Sequence, residues 1–187
     1  MAKKNILILC AHYPFGTDTS FGYHVFKALE KMHLSENIEL MDVGEFSSLI
    51  PHEIEGRDKL IVIDVFRTGD KPGTIVRLKP EEIPIPWDDA TDVAKFHLLE
   101  TLQDFTLLGK CPETILIGVV PKDIKTIGTE LTPEIKSKIP DVIDLVMKEI
   151  TEGKLTSDKP TRSKPRRIST IQRAKKRLQR TTKENKD

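Results

Sequence analysis

The chain has 187 residues, 37% hydrophobic and 32% charged, with 30 Lys/Arg against 29 Asp/Glu. That length suits one domain with an appendage, and no apolar stretch approaches the roughly 20 residues of a membrane-spanning helix. The net charge of +1 hides an asymmetry: Lys154–Asp187 carries 13 basic and 3 acidic residues, which leaves 17 and 26 in the first 153 and makes an acidic body with a basic tail.

Ile6–Cys10 is a short continuous apolar run and predicts a strand buried on both faces. A loop with Pro14 and Gly16 follows. Phe21, Val25, Ala28 and Met32 recur at helical spacing, which predicts an amphipathic helix over 20–33. Ile38–Val43 and Leu60–Val65 predict the second and third strands. Lys71-Pro72-Gly73 is a turn, and Thr74–Leu78, rich in β-branched residues, predicts an edge strand. Val93, Phe96, Leu99 and Leu102 predict a helix over 92–105, and Thr114–Val120 a further buried strand closed by Pro121. Thr132-Pro133 is a helix start with Thr as N-cap. Ile135, Ile139, Val142, Val146 and Ile150 continue its apolar face, with a kink or restart expected at Pro140.

Gly153 ends the expected domain, residues 1–153. Beyond it, residues 154–167 are Lys, Thr, Ser, Pro and Arg with one acid, Asp158, and a lone apolar Leu155, a composition that predicts disorder. Ile168, Ile171 and Leu178 give a weak helical stripe over 168–180 in the basic tail 154–187. Strands alternating with helices predict an α/β three-layer sandwich: a mostly parallel five-stranded sheet with helices on both faces. Such sheets bind ligands beyond the carboxyl ends of their strands. The loops after Cys10, Val43 and Val120, and the surroundings of Asp64, are therefore where a site is expected.

Two cysteines, Cys10 and Cys111, make no disulfide framework. The five apolar residues after the opening lysines are too few for a secretory core. A cytoplasmic protein with no membrane contact is expected.

Leu60-Ile61-Val62-Ile63-Asp64, then Pro72-Gly73-Thr74 and Glu81-Glu82-Ile83-Pro84, then Ile117-Gly118-Val119-Val120-Pro121 and Leu131-Thr132-Pro133-Glu134 stand in an order and spacing that carry a resemblance. Over residues 5–150 the chain resembles the nickel-iron hydrogenase maturation endopeptidases. The resemblance implies a peptidase that removes the C-terminal extension of a hydrogenase large-subunit precursor. Nickel already held by that substrate is the recognition element, contacted by a first-loop carboxylate, a strand-end aspartate and a histidine before a later helix.

Carried onto this chain, Asp64 stands at the strand-end position, and Asp18 and Gly22 flank the first-loop position, which is Thr19. Cys10-Ala11-His12-Tyr13 replaces the family's Gly-x-Gly-Asn, and Asp42-Val43-Gly44 its Asp-Gly-Gly. The histidine position aligns with Asp92, five residues before His97. The candidate catalytic residues are Asp64 and Asp18, and the candidate metal ligands Asp64, Asp18 and Asp92, with His12 as a replacement imidazole. An all-oxygen set would favour Mg²⁺ or Mn²⁺ over nickel.

Bland roles stand beside each of these. Thr19 with Ser20, and Asp92, suit helix caps; Asp64 suits a strand-end cap; Asp18 suits the charge of a helix N-terminus. Three functions stay open: the peptidase with nickel supplied by the substrate or no cofactor at all, a silent binding protein, and a protein whose basic tail meets nucleic acid or an acidic protein. The tail has no Phe, Tyr or Trp, so any nucleic-acid contact would be driven by phosphate charge.

Overall fold

The computed structural model describes residues 4–13, 15–44, 50–82 and 101–151. Five strands form one sheet: β1 (Ile6–Ala11), β2 (Ile38–Gly44), β3 (Lys59–Val65), β4 (Ile75–Leu78) and β5 (Glu113–Val119). Their order is β2-β1-β3-β5-β4, parallel throughout except for β4, which runs antiparallel to β5 at the edge. The helices are α1 (Phe21–Leu29), α2 (Ile50–Ile54), α3 (described over residues 101–107), α4 (Pro133–Lys136) and α5 (Ile139–Thr151).

β1 and β3 are buried along their whole length, as their unbroken apolar runs require. Alternation along each strand splits their side chains into two cores. Ile6, Ile8, Cys10, Ile61, Ile63, Ile115 and Ile117 pack with Phe21, Val25 and Leu29 of α1 and with Val142 and Val146 of α5. Leu7, Leu9, Leu60, Val62 and Leu116 pack on the other face with Ile54 of α2 and with Leu102 and Phe105 of α3. The result is the expected three-layer sandwich, each buried Leu, Ile or Phe contributing about 1.5–3 kcal/mol.

Several elements differ from the expectation. α1 stops at Leu29, and Met32, counted into its stripe, is exposed. α2 has no sequence periodicity and contains Pro51, so nothing marked it. The restart expected at Pro140 is present: helix formation over 133–150 breaks into α4 and α5, with Pro140 as the second residue of α5. A proline there lacks only an N–H that has no helical partner anyway, whereas in mid-helix it would clash. The start of the expected helix 92–105, Asp92 and His97 within it, and the tail with its 168–180 stripe lie outside the described residues.

Candidate functional site

The parallel strands deliver the ends of β1, β3 and β5 to one edge. Asp64 is the penultimate residue of β3 and sits opposite Gly118 of β5. A Cβ on Gly118 would lie 1.8 Å from the Asp64 carbonyl oxygen and 2.9 Å from the Phe66 ring. Glycine is thus what lets β5 close on β3 beside Asp64. Asp64 is 9% exposed, and its Oδ1 accepts the Val65 N–H at 2.7 Å. By alternation it follows Leu60 and Val62 onto the α2/α3 face.

Asp18 begins a one-turn 3₁₀ segment, Asp18–Ser20, that leads into α1. Its side chain is fully buried. Oδ2 accepts the N–H groups of Lys122 and Asp123, both at 2.8 Å, and the Thr132 hydroxyl at 3.2 Å; Oδ1 accepts the Thr132 N–H at 2.9 Å. Four donors satisfy a charge that would otherwise be costly in the interior. This carboxylate anchors the loop after β1 to the loop after β5 and to the start of α4. The Thr132 hydroxyl is drawn into the anchor, so Thr132 occupies the N-cap position of α4 without a side-chain cap bond.

Thr19 is also turned inward. Its hydroxyl lies 3.0 Å from the Gly16 carbonyl and 3.2 Å from that of Tyr13, and its one proton serves either. Ser20 stands at the N-cap of α1, yet its hydroxyl lies 2.6 Å from the Thr17 carbonyl and 3.2 Å from that of Thr129, outside the helix. Gly22 allows the approach of α1: a Cβ there would lie 1.8 Å from the Ala11 carbonyl oxygen.

His12 lies on the α1 side. Its ring sits 5.4 Å from that of Tyr23, and Nε2 is 2.9 Å from Asp42 Oδ1. Asp42 Oδ1 also accepts the Gly44 N–H at 3.2 Å, and Gly44 turns with φ 51°. The β1–β2 register slips by one residue there, so Ala11 pairs with Gly44 and Val43 is bulged. His12 Nδ1 is the one buried side-chain N or O atom among the described residues without a hydrogen-bond partner. The fold therefore puts His12 and Asp64 on opposite faces, holds Asp18 in a buried anchor, and leaves Asp92 outside the described residues. No three His, Cys, Asp or Glu side chains among the described residues gather as a metal site. Asp64 is the sequence candidate that stands at a strand end, the penultimate residue of β3.

Both cysteines are free thiols. Burial, and secondly the Asp42 charge, push the Cys10 thiol far above its ordinary pKa, so it is inert as a nucleophile.

The fold is that of an α/β protein built on a mostly parallel sheet, with Asp64 at the carboxyl edge of its third strand. The family model described as HycI, hydrogenase maturation protease, matches residues 23–149, and the chain belongs to that family. The coenzyme F420 hydrogenase subunit delta of Methanothermobacter thermautotrophicus is 30% identical over 159 residues, 80% of this chain and 96% of that protein. The hydrogenase 2 maturation protease of Escherichia coli K12 is 27% identical over 152 residues, 79% of this chain and 92% of that one. Among solved structures, the hydrogenase maturating endopeptidase HybD of E. coli superposes with a TM-score of 0.72 at 23% identity, covering 80% of this chain and 94% of that one.

Proposed function

We propose that this chain is a maturation endopeptidase that removes the C-terminal extension of a nickel-iron hydrogenase large-subunit precursor, with Asp64 as its principal site carboxylate. The observation that carries the reading is the family match over residues 23–149, which includes β3 and its strand-end Asp64. In this reading nickel belongs to the substrate. Asp64 offers a charged oxygen at the edge where such sheets bind ligands. Asp18 serves by holding the two flanking loops, and Asp92 is the further carboxylate to test. Among the described residues the donor set is too sparse to fit a resident ion, so no step is assigned to one.

Among the described residues no helix is long and apolar enough to cross a membrane. The reading places the chain in the cytoplasm, in keeping with its two unpaired thiols. The test is the intact mass of a nickel-loaded large-subunit precursor after incubation with the chain. Loss of the extension with the wild type, and an uncut precursor with Asp64→Ala, is expected. Equal cleavage by both proteins would refute the role of Asp64.

A further inference from the structure

The loops after β1 and β5 are bonded to each other along their length. Gly16 and Ile127 form an antiparallel bridge. The Thr17 N–H reaches the Thr126 carbonyl at 3.1 Å, the Gly128 N–H reaches that of Phe15 at 3.2 Å, and the Thr17 hydroxyl reaches that of Asp123 at 2.7 Å. Asp18 clamps the same two loops from below. A platform held this firmly nonetheless exposes Tyr13 (41%), Phe15 (62%) and Ile127 (85%), with the Tyr13 and Phe15 rings 5.7 Å apart, edge to face. These side chains contribute nothing to either core.

We propose that this two-loop platform docks the protein substrate, with Tyr13, Phe15 and Ile127 as anchors for an apolar stretch beside the scissile segment. The proposal rests on the peptidase reading above. Three observations select the occupant. The platform is built from loops that leave the same carboxyl edge of the sheet as the end of β3, where Asp64 stands. It carries no cationic excess: residues 121–131 hold two lysines and two acids, and residues 11–20 add only the buried Asp18. That fits neither a polyanion nor an anionic membrane, both of which need a cationic excess. Three partly exposed side chains offer a few hundred Å² of apolar surface, the size of a functional patch on a monomer. A stable dimer needs about 800 Å² per partner, so a second copy is a poorer fit than a transient encounter. The backbone ladder fixes the anchors before binding, which lowers the ordering cost of that encounter.

The experiment uses the full chain and the purified precursor with its extension. Wild type is compared with the double variant Phe15→Ser, Ile127→Ser, whose replaced side chains lie outside the cores. Binding is followed on immobilised precursor, cleavage by intact mass, and self-association by sedimentation. Loss of two apolar anchors that the bound substrate would cover should raise Kd and KM at least about tenfold while kcat stays within about twofold. A wild type that binds and cuts, beside a variant that does both equally well, would overturn the docking proposal and leave the peptidase reading intact. A wild type that binds but does not cut, with binding lost in the variant, would uphold docking and sink the peptidase reading. Absence of any binding by the wild type, or a variant that changes only self-association, would overturn docking.

Discussion

At the amino end of the sheet, Lys59 is buried between two carboxylates: Nζ is 2.8 Å from Glu149 Oε2 and 3.3 Å from Glu113 Oε1. Arg77 completes Glu149 at 2.6 Å, and Lys4 completes Glu113 at 2.9 Å. At the carboxyl end, Asp18 is equally buried but is met by three backbone N–H groups and one hydroxyl, with no cation in its shell of donors. Opposite charges hold strand starts to the end of α5, where only the fold is at stake. Neutral peptide groups hold the loops beside the candidate site. An anchor built from backbone fixes the loop path itself, since each N–H belongs to the chain being positioned.

Removing Asp18 is expected to have the largest effect. Asp18→Ala strands three part-buried backbone N–H groups at about 1 kcal/mol or more each. Urea unfolding should show a loss of at least about 3 kcal/mol. A loss below about 1 kcal/mol would mean that the loops are held elsewhere. Gly22→Ala comes next, because its methyl must displace the Ala11 carbonyl from 1.8 Å. Overpacking of that kind costs about 1–3 kcal/mol, read calorimetrically as a fall in Tm of several degrees.

The amino-end network should respond less. Lys59→Met keeps the packing of the stem and leaves Glu149 with Arg77, so a loss of about 1–2 kcal/mol is expected at pH 7. That difference should depend on acid. Burial works to raise the Glu149 pKa, but the bonds from Arg77 and Lys59 outweigh it and hold the carboxyl below its ordinary 4.5. A depressed carboxylate contributes stability that is full above the unfolded value and is lost as pH falls through the folded one. Wild type and Lys59→Met should therefore converge in stability below about pH 4.5. A constant gap down to pH 3 would mean that packing, and not charge, sets the Lys59 effect. Smallest of all is Lys4→Ala at the exposed rim, where a change within about 0.5 kcal/mol should fade further in high salt.

Much of the sheet was legible in the sequence because fully buried strands leave unbroken apolar runs, as in Ile6–Cys10 and Leu60–Val65. The edge position of β4 was readable from its β-branched residues beside a Pro-Gly turn, in which Gly73 has φ 80°. α2 was not readable, since five residues cannot show a 3.6-residue period. The site was legible only in part. Asp64 carries a positional signal, the end of an apolar strand. Asp18 carries none that separates a ligand from an anchor, because its partners are backbone groups of residues 122, 123 and 132, more than 100 positions away. The pairing of His12 with Asp42 was hidden for the same reason: it depends on the β1–β2 register and on the bulge at Val43. Gly22 was noted as a motif residue, while its physical cause, the contact with Ala11, needed the packed helix.

In the proposed reading two aspartates divide the labour, Asp64 for the reaction and Asp18 for the frame. This division is tested most directly by measuring cleavage rate and Tm together for Asp64→Ala and Asp18→Ala on the same precursor. The account predicts that Asp64→Ala melts within a few degrees of wild type and does not cut, whereas Asp18→Ala melts at least about 6 °C lower. An Asp64→Ala protein that cuts at the wild-type rate, or an Asp18→Ala protein that keeps the wild-type Tm and loses cleavage alone, would contradict it.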